Sequence, residues 1–120
     1  MRGRSVRLFV GDMLAAIDKL ARYTEGMDAA SFSADEFTVD AVLRNLEVLG
    51  EAARNVPPEV RDTHPEIPWT RMVGLRNIVA HVYFGVDLEN VWKIVSENVP
   101  PVRPALEGLL EELERTEPRV

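Results

Sequence analysis

The feature that most constrains the fold is a helical period that runs through nearly the whole chain. Over residues 5–23, apolar side chains recur at steps of three and four, at Val6, Phe9, Val10, Met13, Ile17, Leu20 and Ala21. This spacing places them on one face of an amphipathic helix. The valine-rich stretches further along keep the same period, and none shows the alternation of a β-strand. The sequence therefore predicts an all-α protein.

The longest predicted helix carries two apolar stripes. Ser33 and Glu36 have the spacing of a capping box, so we expect the helix to begin there, after a loop that ends at about Ser33. A helix that is apolar on two sides needs two packing partners. The second partner is either a second subunit or the remainder of the same bundle, and both alternatives fit the sequence. One stripe consists of Val39, Val42, Leu46, Leu49, Ala53 and Val56, and the other of Ala41, Val48 and Ala52, with Gly50 as a further small residue.

Prolines divide the second half of the chain. Because proline removes a backbone donor and restricts the residue before it, Pro57-Pro58 should end the long helix. A further helix is expected over residues 68–83, and Asp87 is well placed to cap the next one. The proline-rich stretch 100–104 precedes a last helix. These elements predict an antiparallel bundle of four or five helices, forming one domain over residues 1–120.

The charge balance excludes a general attraction to nucleic acid. Twenty acidic and fourteen basic residues give a net charge of −6, so a nucleic-acid site must be local. Residues 67–86 contain no acidic residue, and Arg71 and Arg76 should make this segment locally cationic. The chain has no cysteine, which excludes a thiol nucleophile and suits a reducing cytoplasm. We expect no membrane span, because no apolar run approaches about 18 residues.

Polar side chains of this segment lie on neighbouring helical faces. Neutral imidazole, as in His81, can take a proton from a ribose 2′-hydroxyl, and a guanidinium such as Arg76 can stabilise the charge on a phosphorane. Being five residues apart, these two would meet around a bound phosphate or across a two-fold axis. No Asp/Glu/His metal cluster accompanies them, which favours a metal-independent reaction. On the residues alone, a subunit interface is the commoner use of such a helix. The faces consist of Thr70, Gly74, Asn77 and His81, and of Arg76, Ala80 and Tyr83.

The stretch Arg76-Asn77-Ile78-Val79-Ala80-His81-Val82-Tyr83 resembles the R-x4-H-x-Y motif of HepT-type toxins, which belong to the HEPN superfamily. The likeness continues in order through residues 41–52, 65–69, 74–77, 83–87 and 91–92, and covers about residues 8–113. One departure is Val82, where many relatives carry glutamate between the histidine and the tyrosine.

This resemblance implies an all-α homodimer whose paired motif helices face a shared cleft, and a metal-independent RNase that cleaves cellular RNA without a cofactor. Arg76 and His81 would be the catalytic pair, with Asn77 as the supporting polar residue. It also implies a toxin–antitoxin system in which a nucleotidyltransferase of the MntA type silences the toxin by transferring AMP to Tyr83. An added anion so close to His81 would oppose RNA phosphate. The competing interpretation of Tyr83 is an aromatic residue that packs at an interface.

Two other functions fit the same residues. The chain could be a non-catalytic helical partner that presents substrate to a nucleotidyltransferase, or a purely structural dimer. The transferase itself is excluded, because the chain lacks the G-S-x-x-x-G and paired-carboxylate signals of that class.

Overall fold

A computed structural model describes residues 5–85 and 87–116, and within these ranges the chain is helical, without a β-strand. The all-α prediction is therefore confirmed. No helix of the described ranges is long and apolar enough to cross a membrane. The α-helices are α1 (Val6–Tyr23), α2 (Ala29–Ala34), α3 (Glu36–Arg54), α4 (Pro58–Arg61), α5 (Trp69–Val73), α6 (Leu75–Val82), α7 (Leu88–Lys93) and α8 (Arg103–Thr116). A π-helical turn (Ile94–Asn98) and a 3-10 turn (Pro100–Val102) connect α7 to α8.

Helix α3 is central and packs against α1, α5 and α6, while α1 also packs against α8. Its predicted main stripe, from Val39 to Val56, is buried throughout. The neighbouring small residues serve the same bundle, since a Cβ added at Gly50 would lie 3.0 Å from the carbonyl oxygen of Met72 in α5. Ala41 and Val48, further round, stay half-buried. The close approach that the small residues permit is thus made, at Gly50, to a helix of the same chain.

The predicted capping box at Ser33 is wrong. Residues 29–34 form the short helix α2, whose Phe32 is fully buried and stacks near Trp92 with ring centroids 5.3 Å apart. The capping box lies earlier, where Asp28 Oδ1 accepts from the Ser31 backbone N–H at 2.8 Å and Ser31 Oγ accepts from that of Asp28 at 3.0 Å. Helix α3 is capped instead by Asp35, whose Oδ1 accepts from the Thr38 backbone N–H at 3.1 Å. The segment predicted as a loop is therefore helical, because the helix buries the aromatic side chain of Phe32.

The helix expected over residues 68–83 is divided at Gly74 into α5 and α6. Gly74 keeps nearly helical dihedrals, with φ −68° and ψ −11°, so the interruption is slight. Asp87 caps α7 as predicted, because its Oδ1 accepts from the Asn90 backbone N–H at 3.1 Å. It does so at a positive φ of 64°, a conformation that asparagine and aspartate tolerate better than most residues.

The side chains of Arg61 and Trp69 hold the connection between α3 and α5 in place by hydrogen bonds. The guanidinium of Arg61 donates to the carbonyl oxygens of Ala53, Arg54 and Val56 at 2.8–3.2 Å, and so satisfies the open end of α3. The carbonyl oxygen of His64 accepts from the Trp69 indole N–H at 3.0 Å, at the start of α5.

Candidate active site on α6

Helix α6 sorts its residues into a buried side and an exposed side. Leu75 and Val79 are buried, and Ile78 and Val82 are half-buried against the core. Every other side chain from the motif lies towards solvent, as do the two rings at the helix end, with Tyr83 at 69% and Phe84 at 85% exposure. The solvent-facing members of the motif are Arg76, Asn77, Ala80, His81 and Tyr83.

Arg76 lies on the flank of α6 that faces α3. Its Nη1 donates to Oε1 of Glu51 at 3.0 Å, and the other oxygen of Glu51 accepts from Arg54 and Asn55, both at 3.3 Å. The carboxylate that holds Arg76 is about half exposed, as is the guanidinium itself. The predicted cationic character of this helix is therefore partly neutralised at Arg76 by a carboxylate from α3.

A groove of about 580 Å³, lined by both charged and apolar side chains, runs between α3 and this flank. Arg76, Asn77 and Tyr83 line it from the α6 side, together with Glu47 and Arg54 from α3. Three of the four residues singled out by the motif are thus brought together. Glu47, Glu51 and Arg54 were missed by sequence reasoning, because a contact such as Glu51 to Arg76 spans 25 positions and has no local signal.

His81 does not line this groove. In an α-helix, residues five apart are separated by about 140° around the axis, so His81 and Arg76 point to different sides of α6. Asn77, one turn before His81, lies between them. A single chain therefore does not enclose both side chains in one cleft. Within residues 5–85 and 87–116, no cluster of three His, Asp or Glu side chains is arranged to hold a metal ion.

Comparison with known proteins decides the family. A model described as Ribonuclease HepT-like matches residues 13–109, which include all of α3, α5 and α6. The chain belongs to the HepT-like ribonuclease family. This membership confirms the resemblance carried by the motif, and the family is one of ribonucleases.

Two relatives of this HepT-like protein match along almost their full lengths. It is 39% identical over 107 residues to a Methanocaldococcus jannaschii protein whose name proposes an RNase, and the match covers 89% of this chain and 98% of the relative. It is 38% identical over 106 residues to a probable ribonuclease HepT of Thermococcus cleftensis, with 88% and 96% covered. No solved structure matches the chain significantly.

Proposed function

We propose that this HepT-like protein is a metal-independent endoribonuclease of a toxin–antitoxin system, acting on cellular RNA in the cytoplasm, with Arg76 and His81 as its catalytic pair. The observation that carries the proposal is the family match, which spans the helix bearing both side chains, together with their exposure. A ribonuclease must admit a phosphodiester to a base and to a cation. Helix α6 presents both kinds of group to solvent, with the amide of Asn77 between them.

The proposed chemistry needs only these side chains. Neutral His81 takes the proton of a ribose 2′-hydroxyl, and the 2′-oxygen attacks the neighbouring phosphorus. The bond to the 5′-oxygen then breaks, leaving a 2′,3′-cyclic phosphate, and the proton returns from the imidazolium to the leaving oxygen directly or through water. Arg76 donates to the non-bridging oxygens as charge develops on the phosphorane, and Asn77 supports the same phosphate.

The separation of Arg76 and His81 supports a homodimer as the active form. A second copy laid against the exposed side of α6 would place an arginine of one chain beside a histidine of the other, forming two equivalent sites. Ala80 lies on that side and its side chain is small, so two such helices can approach closely. Light scattering at micromolar concentration tests this step, and a monomer that still cleaves RNA would contradict it.

Replacing His81 tests the catalytic assignment. His81→Ala should lower RNA cleavage by about 10²–10⁴-fold, the contribution typical of general acid–base catalysis. Its fold should be unaffected because the side chain is exposed. The matched control is Lys93→Ala, which removes an exposed cation on α7 and should leave cleavage unchanged. The parent should keep full activity in EDTA. If the parent and His81→Ala both bind RNA but neither cleaves it, the function of a non-catalytic partner would be favoured.

For regulation, we propose that a nucleotidyltransferase of the MntA type adds AMP to Tyr83. The phenol oxygen attacks the α-phosphorus of ATP, pyrophosphate leaves, and the phenolic proton passes to the transferase or to solvent. The support is that Tyr83 is 69% exposed and lines the same groove as Arg76. An attached phosphate would lie where it can engage that guanidinium and repel RNA.

Co-expression with the transferase tests the modification. The parent should gain the mass of one adenylyl group and lose cleavage, whereas Tyr83→Phe should keep cleavage and gain no mass. Tyr23→Phe is the matched control, because it removes the other phenol of the chain and should still be modified. Adenylylation of Tyr83→Phe would contradict the assignment and leave the ribonuclease proposal standing.

A further inference from the structure

A second groove lies on the flank of α6 opposite to Arg76. It has a volume of about 430 Å³ and runs between α5–α6 on one side and α7 with the π-helical turn on the other. Its floor is aliphatic, with Leu49, Met72 and Ile94 among the lining residues. No carboxylate from the described ranges lines it.

Three polar side chains stand on the walls of this groove: Arg71 on α5, Asn90 on α7 and Asn98 in the π-helical turn. All three are exposed, and none of these side chains donates or accepts a hydrogen bond within the described part of the chain. A guanidinium and two carboxamides therefore face the groove with their hydrogen-bonding capacity unused.

The backbone explains why the groove is open. The N–H of Val99 donates to the carbonyl oxygen of Ile94 at 2.9 Å, which is the wider i to i+5 bond of a π-helix. This turn brings Ile94, Asn98 and Val99 to the same side of the chain, where all three line the groove. On the facing wall Gly74 contributes no side chain. Such π-helical turns are frequent at functional sites.

The groove also leads to His81. Gly74, Ile78 and His81 are spaced by four and three residues, so they form one row along α5–α6, and the first two line the groove. Asn90 stands in the first turn of α7, the helix that follows α6, whereas Arg71 lies on α5, ten residues before His81. A strand whose phosphate is at His81 thus has a neighbouring base within reach of the aliphatic floor.

We propose that this groove is a base-binding subsite, which takes an unpaired nucleobase of the RNA strand next to the cleaved phosphate and selects it by its edge. The proposal rests on the ribonuclease function proposed above. A base needs an apolar surface for its faces and paired donors and acceptors for its edge, and a carboxamide offers both of the latter. Arg71 is the only charged residue among those that line the groove in the described ranges, and its positive charge suits the adjoining phosphate.

The test separates base selection from catalysis by using 2′-O-methyl RNA, which has no 2′-hydroxyl to attack. Binding of four homopolymeric 2′-O-methyl oligonucleotides is measured for the parent, Asn90→Asp, Asn98→Asp and Glu97→Gln. The aspartates keep the shape of the amide but lose its donor. The parent should prefer one base by about 5-fold or more, the discrimination expected of a paired amide–base contact. The aspartate variants should lose or change that preference. Glu97→Gln changes an exposed neighbour that does not line the groove and should keep it.

Sequencing the ends of products cut from a randomised RNA gives the second measurement. The same base should be enriched beside the cut in the parent and in Glu97→Gln, but not in the aspartate variants. Equal binding of the four oligonucleotides, or a preference unchanged in the aspartate variants, would overturn the subsite. If the aspartate variants instead alter only the oligomeric state in light scattering, the groove is an interface between copies and the proposal is wrong. Selective binding without cleavage by the parent would overturn the ribonuclease function and leave the subsite.

Discussion

The two flanks of α6 carry grooves of different character. On the Arg76 flank α3 packs against α5 and α6, with Gly50 in contact range of α5 and Glu51 bonded to Arg76, and charged side chains of both helices line the groove. On the other flank, the aliphatic flank, the groove lies between α5–α6 and the π-helical turn, and in the described ranges no carboxylate lines it. The Arg76 flank is therefore charged, and the aliphatic flank is mostly apolar.

This difference suggests that the two flanks of α6 bind different parts of an RNA strand. A phosphate requires charged donors, which the Arg76 flank supplies, with the guanidinium oriented by its hydrogen bond to Glu51. A base requires apolar surface, which the aliphatic flank supplies. His81 stands at the ridge between the flanks, where a strand crossing α6 would place its 2′-hydroxyl. Variants of the two flanks, and of the connection before α5, test this difference.

The largest expected effect distinguishes Arg76 from Arg71, the two arginines of residues 67–86. Arg76→Ala should lower kcat by about 10²–10³-fold, because removal of one preorganised donor to a developing oxyanion costs about that much. Arg71→Ala, on the aliphatic flank, should mainly raise KM and leave kcat within a few-fold. Steady-state cleavage of one oligonucleotide gives both constants. Equal losses of kcat in the two variants would mean that the two flanks do not have separate roles in catalysis and binding.

The packing of α3 on the Arg76 flank depends on Gly50. A Cβ there would lie 3.0 Å from the backbone oxygen of Met72, so Gly50→Ala should force α3 and α5 apart and destabilise the fold by about 1–3 kcal/mol. Gly108→Ala in α8 is the matched control, because a Cβ there meets nothing within 4 Å and should stabilise the helix by about 0.5–1 kcal/mol. Urea unfolding measures both. Equal stability of the two variants would show that the close approach is not needed.

The sequence predicts the two flanks unequally, for a physical reason. Helical period and capping residues are local signals, so α1, the main stripe of α3 and the Asp87 cap follow from the order of residues alone. Short helix α2 does not, because it depends on burying Phe32 against Trp92, sixty positions away. The motif likewise indicates Arg76, Asn77, His81 and Tyr83 through local spacing. The groove is not predicted, because it arises from a π-helical turn and a facing glycine that meet only in the folded chain.

Glu51 tests how the Arg76 flank affects the proposed phosphate site. Its carboxylate occupies Arg76 in the free protein, so RNA phosphate must compete with it. Glu51→Gln removes the charge, keeps a hydrogen-bond acceptor and should lower KM by about 2–5-fold, because an exposed pair of this kind contributes about 0.2–1 kcal/mol. The gain should shrink as salt rises. Glu107→Gln, which removes a carboxylate paired with Arg103 on α8, is the control and should leave KM unchanged. A rise in KM for Glu51→Gln would show that the carboxylate positions the guanidinium and does not compete for it.

The smallest expected effect concerns the side chain of His64, in the connection before α5. Both flanks of α6 depend on this connection, because it holds the start of α5. Burial lowers the pKa of His64, but hydrogen bonds from its ring to Glu66 and Glu112, both 3.1 Å long, and the charges of these carboxylates together raise it above its ordinary value. A raised pKa in the folded state means that protonation stabilises the fold. That stability is fully present below the unfolded pKa of about 6.5 and is lost as the pH rises through the folded pKa.

His64→Gln should therefore be less stable than its parent by about 1 kcal/mol or less at about pH 5.5, and the difference should narrow by about pH 8.5. The size is small because both carboxylates are about half exposed, at 57% and 47%, and water screens them. Urea unfolding at the two pH values measures the difference. Both proteins should also carry His81→Ala, so that the only other histidine of the chain does not contribute to the pH dependence. A difference that widens with pH would mean that the neutral imidazole is the form that holds α8 to this connection.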